Sequence, residues 1–405
     1  MRFLYLTNDN RLELLNTTNE CTLPATSRTL DLPAELIERI FTHLPRSCLA
    51  QVSFVSRKWN AVANGLLYTH VYIRTLTHWE SFIQYCVNKD CVWLERVQSL
   101  VLRPSPRLAP RSGLQSNSFK TDPDVAAQGY IRVQPVDLDN TGLERLLCDS
   151  ANNIHEENYG ELDTTVKTAE WLAKVSDRDM AMAVDRCCRL VYLCASGCSQ
   201  IGDATMYALS ASRNEQGDRS MRGLWLDLTR NITALGWKTF VNAEIRRRQT
   251  SGASQLTHLD LSFSGFIDDS CLEQALPNWS SSLTHLRLGS LYNITDATVL
   301  SISRHCSHLR LLHLVRCWRV TNESLAPLAS GCPRLVYMSL AFLNQVNEQG
   351  IRHIVSGCPS LDTLDISGSG INPMFKQVIL DQWLLDRRRL GLKPVRFIET
   401  PVLLL

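Results

Sequence analysis

Apolar positions recur along the second half of the chain with a nearly fixed step. Leu283, Leu309, Leu335 and Leu361 stand 26 residues apart, and Leu256 precedes the first of them by 27. Three residues after each comes a second apolar residue (Leu259, Leu286, Leu312, Met338, Leu364). Two later comes a third (Leu261, Leu288, Leu314, Leu340, Ile366), and then an aliphatic one (Ile267, Ile294, Val320, Val346, Ile371). Looser copies run through Leu190, Leu193, Ala195 and Ile201, and through Met221, Leu224, Leu226 and Ile232. A first strand is expected at Val97 to Leu102. Self-similarity at this period predicts stacked units: a short strand on each central apolar triplet, parallel to its neighbours, and a helix returning outside. Helix starts follow the aliphatic position at Asp268-Asp269, Thr295-Asp296 and Thr321-Asn322, whose side-chain oxygens can cap free N–H groups.

Residues 30–72 follow another pattern. Leu36, Ile37, Ile40, Phe41 and Leu44 recur at helical spacing after Pro33 and stop at Pro45. Leu49, Val52 and Val55 predict a second short helix, and Trp59, Val62 and Ala63 a third. Three short helices make a marginal core, a module that a partner or neighbouring domain usually completes. Residues 1–29 are expected to be a flexible arm. Residues 73–186 are expected to hold linker helices and a first irregular repeat, with a proline-rich insertion at 103–137. The repeats then occupy 187–372. A helix from Phe375 to Leu390 and the tail to Leu405, within 373–405, are expected to cap their end.

Composition narrows the class. The 405 residues carry Lys+Arg 42 against Asp+Glu 40, a formal net charge of +2. No bulk field here calls for nucleic acid, and no apolar run is long enough for a membrane span. The short apolar start is not read as a signal peptide, so the 14 cysteines are expected to be free thiols in the cytoplasm or nucleus. They follow the packing period: Cys306, Cys332 and Cys358 each precede a repeat's first leucine by three, as Cys187 does, while Cys198 and Cys317 take the ninth position. Small buried groups at tight turns fit these places. A zinc site on His305, Cys306 and His308, or on Cys194 with Cys198, lacks a second pair at finger spacing. Arg246-Arg247-Arg248 and Arg387-Arg388-Arg389 are read as solvated faces or helix ends.

The L-x-x-L-x-L block is the leucine-rich-repeat pattern. The stretches HCSHLRLLHLVRCWRVTNESLAPLASGCP and GCPRLVYMSLAFLNQVNEQGIRHIVSGCPSL resemble the cysteine-containing repeats of F-box proteins. Leu32-Pro33, the acidic-aliphatic first helix, Val55-Ser56-Arg57, Trp59 and the aromatic exit from Tyr68 to Tyr72 resemble an F-box. A helical cap on the first strand is the alternative reading of that module. The resemblance implies an α/β leucine-rich-repeat solenoid, with parallel strands lining a concave face and helices outside, behind a three-helix F-box. It implies a substrate-recognition subunit of a Skp–cullin–F-box ubiquitin ligase, bound to the Skp-type adaptor through Leu32, Pro33, Leu36, Ile40, Leu44, Leu49 and Val52. The competing expectation is a repeat scaffold with no ligase.

Strand alternation places the third, fifth and seventh positions of each repeat outside the core. Tyr192, Trp225, His258, His285, Arg287, His313 and Tyr337 are therefore the expected substrate face, with Asp227, Asp260, Thr363 and Asp365 among them. The histidines at successive strands are expected to make binding pH-sensitive. No P-loop, G-x-S-x-G elbow, H-E-x-x-H or dinucleotide fingerprint occurs. The expectation is a non-catalytic receptor with no cofactor or metal, acting by proximity on a protein substrate, with neither nucleic acid nor membrane as partner.

Overall fold

The computed structural model describes residues 2–6, 12–16, 32–44, 46–88, 91–102, 170–211, 221–251, 255–371 and 376–398. The 103–137 insertion, the helical pattern at Gly142 to Leu147, the start of the 164–187 helix and the Pro401–Leu405 tail lie outside these residues. The chain divides into two units, Met1–His70 with Pro104–Thr168, and Val71–Arg103 with Ala169–Leu405.

In the first unit, β1 (Arg2–Leu6) and β2 (Leu12–Asn16) pair antiparallel with Leu4 opposite Leu14, inside the stretch expected to be a flexible arm. Both are rich in aliphatic and aromatic strand formers. Three helices follow: α1 (Ala34–Phe41), α2 (Arg46–Val52) and α3 (Arg57–Leu67). Their buried core is small, with Ile37, Phe41, Leu49 and Ala63 at its centre. Phe41 meets Trp59 edge-on with centroids 5.2 Å apart. Ser56 caps α3 by accepting from the Trp59 N–H at 3.1 Å.

The second unit is built on a ten-stranded sheet whose strands lie in sequence order. They are β3 (His70–Ile73), β4 (Ser99–Leu102), β5 (Tyr192–Cys194), β6 (Gly223–Trp225), β7 (His258–Asp260), β8 (His285–Arg287), β9 (Leu311–His313), β10 (Tyr337–Ser339), β11 (Thr363–Asp365) and β12 (Arg396–Ile398). All neighbours from β4 to β12 pair in parallel. The register lines Leu193, Leu224, Leu259, Leu286, Leu312, Met338 and Leu364 into one buried row. From β5 to β11 each strand is followed by a helix, and the resulting core is continuous from Ile73 to Val395. The edge strands β3 and β12 carry no L-x-x-L-x-L block, and the sequence pattern did not reveal them.

Two devices tie successive units together. The first is a staircase of carboxylates. Asp269, at the start of helix Asp269–Ala275, accepts from Thr295 N at 2.9 Å and Thr295 Oγ1 at 2.8 Å in the next unit. Asp296 does the same for Thr321, and Asp203 for Thr233. The second is a left-handed residue just past each strand from β5 to β11, Gly197, Leu228, Phe263, Ser290, Arg316, Phe342 and Gly368. The N–H of each from Gly197 to Phe342 donates to the following unit, as Phe263 does to Gly289 O at 2.8 Å and Phe342 to Ser367 O at 2.7 Å.

The basic runs lie toward the ends of their helices, as one of the two readings has it, but one arginine of each is not solvated. Arg387 is 0% exposed, and its guanidinium donates to Val355 O, to Cys358 O at 3.1 Å, to Leu361 O at 3.3 Å and to Lys393 O at 2.7 Å. Arg247 is likewise buried, paired with Glu244 and donating to Leu209 O at 2.9 Å. Each lies on a helix and reaches the carbonyls that end the preceding one, a job the five-donor fork of arginine suits. Arg246, Arg388 and Arg389 are not buried.

Candidate functional site

On α1 the apolar residues fall into two sets. Ile37 and Phe41, four apart, face the core, while Leu36 and Ile40, also four apart, are 47% and 51% exposed. Pro33 precedes them, exposed, and its carbonyl accepts from the N–H groups of Leu36 and Ile37 at 3.1 Å. Phe54 and Val55, between α2 and α3, are exposed as well. Leu32, Leu44 and Val52 are half-buried against the small core. Leu49, expected to face a partner, is 5% exposed inside that core, where it and the half-buried Val52 anchor the short helix α2. The apolar spacing puts Val55 on the second helix and the F-box resemblance puts it in a turn with Ser56 and Arg57; it lies in the turn, exposed together with Phe54.

The sheet face is built differently from the open surface that alternation predicts. His258 and His285, paired across β7 and β8, stack with ring centroids 4.1 Å apart and planes 11° apart. Trp225 lies 5.7 Å from His258, and His313 stacks on Tyr337 at 5.0 Å. Gly223 has no side chain between Tyr192 and His258, and a Cβ there would collide with the rings of Trp225 and Tyr192. Tyr192, Trp225, His258 and His313 are buried, as are Asp260, Thr363 and Asp365, whereas His285, Arg287 and Tyr337 are half-buried. Strands about 4.8 Å apart bring rings at equivalent positions into contact, so each covers its neighbour.

The histidine tautomers follow from the hydrogen bonds. Thr257 Oγ1 donates to Arg222 O at 2.7 Å, so it accepts from His258 Nδ1 at 2.8 Å. Thr284 Oγ1 donates to Thr257 O at 3.0 Å and accepts from His285 Nδ1 at 2.8 Å. Both rings therefore carry their proton on Nδ1. Burial, with His285 and Arg287 adding to it, lowers the His258 pKa to about 3. Burial, then Arg287 and Arg310, lowers that of His285 to about 4. The pair is thus neutral at mildly acidic and neutral pH, against the expected sensitivity there. On the same face, burial and then the neighbouring Asp260 push the Asp227 carboxyl up to about 7. Burial also raises Asp260.

The periodic cysteines are packed. Burial pushes the thiols of Cys306, Cys317, Cys332 and Cys358 up to about 12, which keeps them protonated and poor nucleophiles. Cys332 Sγ donates to Cys306 O at 3.4 Å, linking successive units. Among the described residues there is no cluster of three or more His, Cys, Asp or Glu side chains able to hold a metal, and no helix long and apolar enough to cross a membrane.

A second exposed set, which the apolar pattern does not mark, lies just past the strands. Tyr292 and Trp318 are 49% and 46% exposed and stack at 4.8 Å. Beside them the Arg316 guanidinium lies over the Phe342 ring, 5.3 Å from its centroid, and Phe263 is exposed. Their common positions, eight and ten in the repeat, were the available signal.

Residues 29–74 match the F-box-like family model. The chain therefore carries an F-box-like domain at its N-terminal side, followed by a parallel-strand α/β sheet with many helices. No curated protein matches the chain. Among solved structures, the crystal structure of the Rad7 and Elc1 complex in yeast is similar over 53% of this chain and 71% of that chain, at 14% identity and a TM-score of 0.25. A likeness at that score carries no argument here.

Proposed function

We propose that this protein is the substrate-recognition subunit of a Skp–cullin–F-box ubiquitin ligase. The F-box-like domain binds a Skp-type adaptor and, through it, cullin. The following sheet and helices form a leucine-rich-repeat solenoid that holds a protein substrate for ubiquitination and degradation. The observation that carries this reading is the F-box-like match over 29–74 on a helix, α1, that leaves Leu36 and Ile40 exposed. An apolar pair turned to solvent on a helix whose other apolar face already fills a core is the mark of a partner surface.

The protein performs no bond chemistry in this reading. It holds a substrate lysine near the ubiquitin-charged enzyme and so raises the local concentration of one reactant around the other. The periodic thiols, protonated in the core, favour packing over nucleophilic roles. Such a subunit works in the cytoplasm, the nucleus or both.

Co-expression with a Skp-type adaptor tests the proposal. The two are expected to co-purify as a complex through gel filtration. A well-folded chain that passes through without the adaptor would point instead to a repeat scaffold with no ligase.

A further inference from the structure

We propose that the strand-end ridge carrying Tyr292, Trp318, Arg316 and Arg319 docks an acidic, extended segment of a protein partner. This deepens the receptor reading by naming a surface and a partner chemistry, and it rests on that reading only for the ubiquitin transfer that would follow capture.

The sheet face offers few anchors, with His285, Arg287 and Tyr337 half-buried. Its large rings, Tyr192, Trp225, His258 and His313, are buried against one another and offer little area to a partner. The ridge supplies anchors. Tyr292 and Trp318 stack in the open, at equivalent positions of successive units. Aromatic and arginine side chains are the residue types that dominate protein interfaces.

Charge selects the occupant. At positions eight to twelve of all seven repeats, from Leu190 to Leu361, there is no Asp or Glu, and the charged residues are Arg230, Arg316 and Arg319. The neighbouring Asp268 is engaged as a helix cap, accepting from Cys271 N at 2.9 Å, and Asp227 belongs to the sheet face. Arg319 is exposed and bridges Thr295 of the adjacent unit through the backbone. Arg316, laid over the Phe342 ring, adds its positive charge to the same row.

The ridge is also preorganised. Phe263, Ser290, Arg316 and Phe342 take left-handed backbone with φ of 60°, 56°, 58° and 58°, where Gly197 and Gly368 occupy the equivalent places. Glycine fits this conformation at least cost, so the other side chains stand there against the local preference. The inter-unit hydrogen bonds hold the backbone of these turns, so binding need not order it. From Phe263 to Phe342 the row spans three strand spacings, about 14 Å, which an extended segment of about four or five residues covers.

The test uses the full chain with fluorescein-labelled ten-residue peptide pools, one rich in Asp and Glu with interspersed Pro and Leu, the other with Lys in place of the acids. A ten-nucleotide oligothymidine is the third probe. Fluorescence anisotropy is expected to show binding of the acidic pool alone, weakened by added salt. Trp318→Ala and Arg319→Glu should each weaken it about tenfold, with unchanged thermal melting. Equal binding of the acidic and basic pools, acidic binding indifferent to both variants, or tighter binding of the oligothymidine that both variants abolish would overturn the proposal. Adaptor co-purification on the same preparations separates the two readings. Acidic-pool binding without the adaptor removes the ligase and keeps the ridge, and the reverse removes the ridge and keeps the ligase.

Discussion

His258 and His285 lie face to face across β7 and β8 with centroids 4.1 Å apart, each Nδ1 held by the hydroxyl of the preceding threonine. Both rings stay neutral to about pH 3 and 4 in the folded protein, while an unfolded histidine gains its proton near 6.5. The unfolded chain therefore binds more protons below that value. The stability these rings permit is present above about pH 6.5 and is lost as pH falls toward 4 and 3. Replacing His285 with Asn should flatten the acid limb of a urea-unfolding series taken from pH 7 to pH 4.

Asp227 acts in the opposite sense. Its carboxyl holds a proton up to about pH 7 in the fold, against 3.8 in the unfolded chain. Its favourable contribution is full below pH 3.8 and is lost as pH rises through 7. Asp227→Asn keeps the shape without the charge. The variant should gain on the wild type as pH rises from 4 to 7 and hold that gain above it, and the two should converge near pH 4. A gap independent of pH would show that the carboxyl ionises normally.

The stacking direction was legible because Leu283, Leu309, Leu335 and Leu361 repeat a core position, and core positions are set by volume and hydrophobicity alone. The caps at Asp268, Thr295 and Thr321 were legible for a similar reason, since a helix start draws on a short list of oxygen-bearing side chains. The substrate face was not. Alternation says which way a side chain points from a strand, but whether the rings of His258 and His285 meet depends on the strand spacing, and whether Trp225 and Tyr192 close over the neighbouring strand depends on Gly223 leaving room. That Arg387 ends a helix was legible, but a run of three arginines gives no sign that one of them turns under the helix into five carbonyls.

That arginine gives a paired test. Arg387→Met keeps the aliphatic volume but strands buried carbonyls of Val355, Cys358 and Leu361, at a cost of about 3 kcal/mol. Arg388→Met, one residue on and exposed, should stay within about 0.5 kcal/mol of wild type. Chemical denaturation of both reads the difference directly.

The carboxylate staircase predicts a loss that spreads across unit boundaries. Asp269→Ala removes the acceptor for Thr295 N and Oγ1 and for Thr298 N, which should cost about 2 kcal/mol. Leu312→Ala, in the centre of the buried row, should cost roughly 2–5 kcal/mol. Hydrogen exchange should place the first loosening at helix Asp296–His305 for Asp269→Ala and at the amides of β9 for Leu312→Ala.

The F-box-like domain offers the sharpest separation of folding from binding. Leu36 and Ile40 contribute little to the core and Ile37, between them in sequence, contributes much. Leu36→Ser with Ile40→Ser should therefore leave thermal melting near wild type while abolishing capture by an immobilised Skp-type adaptor. Ile37→Ala opens a cavity in a core of few residues and should cost roughly 2–5 kcal/mol, losing capture only as far as the domain unfolds. Leu32→Ala with Pro33→Ala lies between the two, because Leu32 is half-buried and Pro33 exposed, so a partial loss in both measurements is expected. Adaptor capture that survives Leu36→Ser with Ile40→Ser and fails only with Ile37→Ala would move the partner surface off α1, leaving exposed Phe54 and Val55 as the next residues to replace.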